Sequence, residues 1–127
     1  MEKTVIRTEE APAPFQGAPY NQAIVAGDFV FVAGQVGLRP GASAIEGDIA
    51  AQTEQALANL GAILQAAGSS LEKLVKTSVF LQSLDDFQAM NEVYATHVGD
   101  RPPARSTFAV AQLPAGALVE IEAVAHL

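Results

Sequence analysis

No cysteine occurs in this sequence. That excludes disulfide frameworks, thiolate metal sites and cysteine nucleophiles in one step. Basic residues are scarce too: 7 Lys and Arg stand against 14 Asp and Glu, a formal net charge of -7. Nucleic-acid affinity rests on Lys and Arg neutralising phosphates, so this balance speaks against a nucleic-acid-binding surface. It also disfavours docking on anionic membranes. Long apolar runs are missing. The longest, Phe29 to Ala33, is far too short to cross a bilayer, and Met1 to Arg7 lacks the apolar stretch of a signal peptide. The expectation is a soluble, cytoplasmic protein with no membrane partner.

What remains is globular in composition, 50% hydrophobic, with ten Gly and seven Pro spread along 127 residues. Such a chain is long enough for one core and too short for two, so residues 1–127 are read as a single domain. No repeat, linker or low-complexity tract divides it.

Val5-Ile6 reads as a short strand, followed by an irregular segment through Pro12, Pro14 and Pro19. Gln22 to Val25 and Phe29 to Ala33 are strands joined at Gly27-Asp28, a dipeptide with hairpin-turn character. Gly37 to Gly47 reads as a loop. Asp48 caps a helix in which Ile49, Thr53, Ala56, Leu57, Leu60, Ile63, Leu64 and Ala67 recur at helical spacing, and Gly68 ends it. Leu74 to Gln82 is a strand. Asp85 or Asp86 starts a second helix with the stripe Phe87, Met90, Tyr94 and His97, closed by Gly99. After the rigid Arg101-Pro102-Pro103 loop, Ser106 to Val110 and Leu118 to Val124 are the last strands. A strand, helix, strand order suggests a crossover inside a mixed sheet of an α+β fold.

In the last strand Leu118, Glu120, Glu122 and Val124 share one face, and Val119, Ile121, Ala123 and Ala125 the other. Phe29 to Ala33 does not alternate. Two helices cover one face of a sheet, so the second face is too apolar for water and is expected to pack on other subunits. The alternative is that long loops fold over it. Their richness in Gly and Pro, and poverty in large apolar residues, favours the oligomer.

Few titratable residues compete for chemistry. Asp48, Asp85 and Asp86 are accounted for as helix caps, and Glu54 and Glu72 as solvated faces. His97 in a last helical turn complements the dipole, and His126 near the terminus reads as exposed. No His pairing has metal-ligand spacing, the glycines near Gly34 and Gly37 make no phosphate loop, and Ser69-Ser70 have no nearby His. Two positions stand out. Arg105 follows a Pro-Pro-Ala loop before a strand, and arginine binds carboxylates bidentately. Glu120 sits mid-strand between apolar neighbours, where a carboxylate is costly unless paired or placed in a polar cleft. A purely structural salt bridge at a subunit interface, from Arg105 to Glu120 or Glu122, explains them equally well.

The sequence resembles the reactive intermediate deaminase family, also called the RidA or YjgF family. The resemblance runs through Ala18-Pro19-Tyr20, Gln22-Ala23, Val32-Ala33-Gly34-Gln35, Leu57-Ala58-Asn59-Leu60, Val75-Lys76-Thr77, Phe87, Met90-Asn91, Tyr94, Pro103-Ala104-Arg105-Ser106 and Glu120-Ile121-Glu122-Ala123. It implies a chorismate-mutase-like mixed sheet with two helices on one face, assembled as a homotrimer with clefts between subunits. It implies cofactor-independent hydrolysis of 2-iminoacids, or their enamine tautomers, to 2-oxoacids and ammonia. Arg105 would grip the substrate carboxylate, and Glu120 would activate water and return a proton to the leaving amine. Tyr20 resembles a pocket tyrosine, Gly34 and Thr107 match backbone contact positions near the imine, and Asn91 matches a cleft residue. Neither metal nor cofactor is expected. Ala33 replaces a common Ser, Ala18 a common Gly, and Thr107 a common Cys, which bears on substrate preference. The alternatives are a non-enzymatic carboxylate-binding or holdase module, and a ribonuclease, which the charge balance disfavours.

Overall fold

The computed structural model describes all residues, 1–127. Six strands form one sheet: β1 (Lys3–Ile6), β2 (Ala23–Ala26), β3 (Phe29–Val36), β4 (Leu74–Leu81), β5 (Ala104–Ala109) and β6 (Val119–His126). Their spatial order is β1-β2-β3-β6-β4-β5, and only the β4–β5 pair is parallel. Helix α1 (Ile49–Ala66) joins β3 to β4, and α2 (Phe87–Val98) is the crossover between the parallel strands β4 and β5.

Local chemistry sets the helix ends. The Asp48 carboxylate accepts the Ala51 N–H at 3.0 Å, as an N-cap should. At the other end Gly68, at φ +86°, turns the chain so that Ser69 N–H reaches the Leu64 carbonyl at 2.8 Å. The start of α2 corrects the expectation. Asp86 stands at the N-cap with near-helical backbone angles and caps nothing with its side chain. Side-chain capping needs an extended residue, and that residue is Ser83, one turn earlier, whose hydroxyl accepts the Asp85 N–H at 3.1 Å.

Both helices lie on one face of the sheet. Leu57, Leu60, Ile63 and Leu64 of α1 and Met90 of α2 are fully buried against Val30, Val79, Val119, Ile121 and Ala125. Each large side chain buried this way contributes about 1.5–3 kcal/mol. The α+β architecture expected from the sequence, two helices on a mixed sheet, is the one observed.

The opposite face can be read in rows from the register. Phe108, Phe80, Glu120 and Val36 form one row, and Lys76, Val124, Phe31, Ile24 and Val5 another. Phe29, Phe31 and Phe108 remain 44%, 47% and 48% exposed. The second face therefore carries exposed apolar groups, Phe29, Phe31 and Phe108 among them, on either side of a polar row formed by Ser106, Ser78 and Glu122. Loops do cover one end of it, however. Val36, Leu113 and Ala117 are buried there beneath Phe15, Leu38, Ile45 and Val110. The loops are richer in useful apolar groups than their Gly and Pro content suggests.

Candidate functional site

Glu120 is the second residue of β6, nearer the strand start than the sequence suggested, and lies on this second face between Phe80 of β4 and Val36 of β3. Apolar neighbours on both sides desolvate it. Burial is the main force raising its proton affinity above the ordinary value of 4.5, and the nearby Glu122 charge adds to it. Its seat is made by Gly34. The β3–β6 register shifts between Val32 and Gln35, so Ala33 and Gly34 form a bulge opposite Glu122. A methyl carbon on Gly34 would collide with the Glu120 carboxylate, with its carboxyl carbon 2.8 Å away. Only glycine leaves room for the carboxylate to lie over the strand. Tyr20 lies in the loop on the same side. Its hydroxyl accepts the Phe15 N–H at 2.9 Å, and Phe15 packs on the cluster around Val36. The ring itself is 40% exposed.

Arg105 lies elsewhere. It sits inside β5 rather than ahead of it, paired with Thr77 of β4, because the ladder starts at Ala104 as soon as Pro103 is passed. Thr77 is buried on the helix side of the sheet, and Arg105 faces that side too. Its guanidinium carbon stands 4.8 Å from the Tyr94 ring centre and 5.7 Å from that of Phe87. A cleft of about 420 Å³ opens here, lined by Asn91, Tyr94, Pro103 and Arg105 among others. Thr107 is two residues along the same strand on the same side, in register with buried Val79. Only two buried side-chain polar atoms in the molecule lack a hydrogen-bond partner, Asn91 Oδ1 and Thr107 Oγ1. Asn91 lines the cleft, and Thr107 lies beyond Arg105 along the same face of β5. Buried polar atoms are normally satisfied, so such orphans suit a site that takes a polar ligand.

The six residues singled out in the sequence thus form two groups. Glu120, Gly34 and Tyr20 belong to the open face, and Arg105, Asn91 and Thr107 to the helix side near the β5 edge. Strand β4 separates β5 from β6, and the registers Arg105–Thr77 and Phe80–Glu120 add a three-residue offset, so the backbones of Arg105 and Glu120 stand about 14 Å apart, with side chains on opposite faces. Within one chain no ion pair joins Arg105 to Glu120 or Glu122, so the structural pairing considered for them would have to form between subunits. Arg39 and Glu46 form an ion pair at 3.2 Å, and His97 Nε2 lies 3.2 Å from a Glu54 carboxylate oxygen. Glu54, read as merely solvated, therefore bridges to α2. No three His, Asp or Glu side chains converge on a metal site, and no helix is long and apolar enough to span a membrane.

Sequence reasoning passed over the roles of Phe87, Tyr94 and Thr77, which surround Arg105. Phe87 and Tyr94 stand in the helical stripe and among the residues of the resemblance, with no role assigned to either. Their spacing of seven puts them on one face, and an unpaired arginine was the signal to look for a partner there.

A family model described as Endoribonuclease L-PSP matches residues 8–127. The RutC family protein PH0854 of Pyrococcus horikoshii is 50% identical over 125 residues, which is 98% of either chain. A Mus musculus protein named 2-iminobutanoate/2-iminopropanoate deaminase is 43% identical over 124 residues, 97% of this chain and 90% of its own. Among solved structures, E. coli TdcF with bound serine aligns with a TM-score of 0.91 at 37% identity, covering 98% of each chain. With nearly the whole length matched and the fold shared, this chain belongs to the Endoribonuclease L-PSP family, that of the RidA and YjgF proteins.

Proposed function

We propose that this protein hydrolyses reactive 2-iminoacids such as 2-iminobutanoate and 2-iminopropanoate to 2-oxoacids and ammonia, in clefts between the subunits of a homotrimer. The observation that carries this reading is a cation and a carboxyl group, Arg105 and Glu120, each without an ion-pair partner in its own chain. Two such groups on opposite faces meet when a neighbouring copy docks on the open face. A head-to-tail arrangement that closes on itself accomplishes this for every subunit at once.

In that cleft Arg105 holds the substrate carboxylate through two parallel N–H bonds and so fixes the imine carbon. Glu120 takes a proton from water as its oxygen attacks that carbon. That proton passes to the nitrogen and gives an aminoalcohol; Glu120 then carries the hydroxyl proton to the same nitrogen, the C–N bond breaks, ammonia leaves, and the oxygen becomes the 2-oxo group. An acid whose proton affinity is raised toward neutrality suits a group that must both accept and donate. Asn91 and Thr107 supply acceptors without partners beside Arg105. Tyr20 closes the mouth, and Gly34 gives Glu120 its place. Every step runs on protein side chains and water, so no cofactor enters. The mouse relative's name and the serine bound to TdcF support a ligand of amino-acid-like form. Ala33, Ala18 and Thr107 then tune which side chain is preferred. A cytoplasmic location belongs to the same reading, as do the absence of a membrane partner and of a nucleic-acid partner.

A net charge of -7 repels phosphate backbones and speaks against nuclease activity in this chain. The test is ammonia release from 2-iminobutanoate generated in situ, comparing wild type with Arg105→Ala. Acceleration that disappears with the arginine supports the reading. A folded oligomer that gives none overturns it in favour of a carboxylate-binding module.

A further inference from the structure

Most buried or half-buried arginines are held by a carboxylate, yet Arg105 makes no ion pair in its chain. It is held instead by rings. The guanidinium lies 4.8 Å from the centre of Tyr94 and 5.7 Å from that of Phe87, both inside the roughly 6 Å range of cation–π attraction. Tyr94 is itself fixed. It is only 5% exposed, and its hydroxyl shares a buried 2.6 Å hydrogen bond with Thr77 Oγ1. Thr77 in turn is the direct ladder partner of Arg105. One strand pair therefore carries both the cation and the clamp on the ring that steadies it.

The choice of rings over an acid has a chemical consequence. A carboxylate partner would occupy the guanidinium N–H donors and compete with an incoming carboxylate. An aromatic face attracts the cation through its π surface and leaves the in-plane donors free. We propose that Tyr94, clamped by Thr77 and backed by Phe87, is a positioning residue that holds Arg105 rigid and unoccupied for capture of the substrate carboxylate. This deepens the deaminase reading and rests on its assignment of Arg105.

The experiment measures binding of 2-oxobutanoate by calorimetry, alongside the kinetics of 2-iminobutanoate turnover. Tyr94→Leu keeps apolar bulk and loses the ring. It should weaken 2-oxobutanoate binding about fivefold to thirtyfold, the range of a partly desolvated cation–π contact. KM should rise by a similar factor and kcat fall by less, since the carboxylate is held before and during reaction. Tyr94→Phe should restore most of the affinity. In an Arg105→Ala background, Tyr94→Leu should add no further loss. Phe87, which is 41% exposed, offers a second variant that leaves the core intact. Phe87→Leu should weaken binding about twofold to fivefold by the same physics. Wild-type affinity in both folded variants overturns the inference alone, provided that Arg105→Ala still weakens binding. A Tyr94→Leu loss that persists in full without Arg105 overturns it as well, since general damage then explains the loss. Unchanged binding in Arg105→Ala overturns both this inference and the reading beneath it.

Discussion

Gly34→Ala is the sharpest single perturbation available, because it separates the seat of Glu120 from the stability of the fold. The added carbon would lie 2.8 Å from the Glu120 carboxyl carbon and 3.0 Å from its Cγ, where ordinary contact begins at 3.4 Å. Gly34 is not in the left-handed region, so the substitution brings no backbone strain of its own. The obstruction is the end of a flexible side chain, which escapes by rotating. A side chain forced off its rotamer costs about 0.5–1.5 kcal/mol, so melting should fall by only a few degrees. Catalysis is less forgiving: on the proposed mechanism the displaced carboxylate no longer addresses the water. A misplacement of about 1 Å costs on the order of 100-fold in rate. Continuous ammonia release from 2-iminobutanoate, with thermal melts on the same preparations, measures both effects. Adding Gly34→Ala to Glu120→Ala should cost nothing more in either assay. Full activity in Gly34→Ala refutes the reasoning, and so does a collapse of stability that accompanies the loss of activity.

Phe31→Glu places a charge between Val124 and Ile24 on the open face without touching the helix-side core, so it should leave monomers folded but unable to associate, as read by analytical ultracentrifugation. An oligomer that survives this change removes the second face as the association surface. Glu120→Gln tests the electrostatics through pH. The folded chain holds the Glu120 proton more tightly than the unfolded chain, so the associated stability is complete below pH 4.5 and lost as pH rises through the raised value. The variant lacks this loss. Its melting advantage over wild type should be absent in acid and greatest above that window, and parallel pH profiles would contradict the assignment.

Much of the fold is legible because its signals are local. Asp48 and Gly68 bracket α1 with a cap and a left-handed glycine, and Gly27-Asp28 turns the first hairpin. The alternation of Val119, Ile121, Ala123 and Ala125 separates the two faces of β6 unaided. The site is less legible because its geometry depends on pairing between distant segments. Arg105 and Glu120 look equivalent as lone charges beside apolar residues. Their opposite facing follows only from the registers of β5 on β4 and β4 on β6. Likewise the need for glycine at position 34 comes from a carboxylate 86 residues later in the chain. The resemblance named these residues but could not say which of them one chain brings together.

The division of Arg105 and Glu120 between two faces also bears on inheritance. On the proposed reading each cleft borrows its arginine from one copy and its glutamate from another. Two differently damaged versions of the gene, one lacking Arg105 and one lacking Glu120, are then both silent alone. Expressed together and mixed at random, they rebuild about a quarter of the clefts with both groups intact. A protein whose site lay within one chain would gain nothing from such mixing. Here one defect can hide another, and a cell carrying both would keep part of an activity that neither could supply.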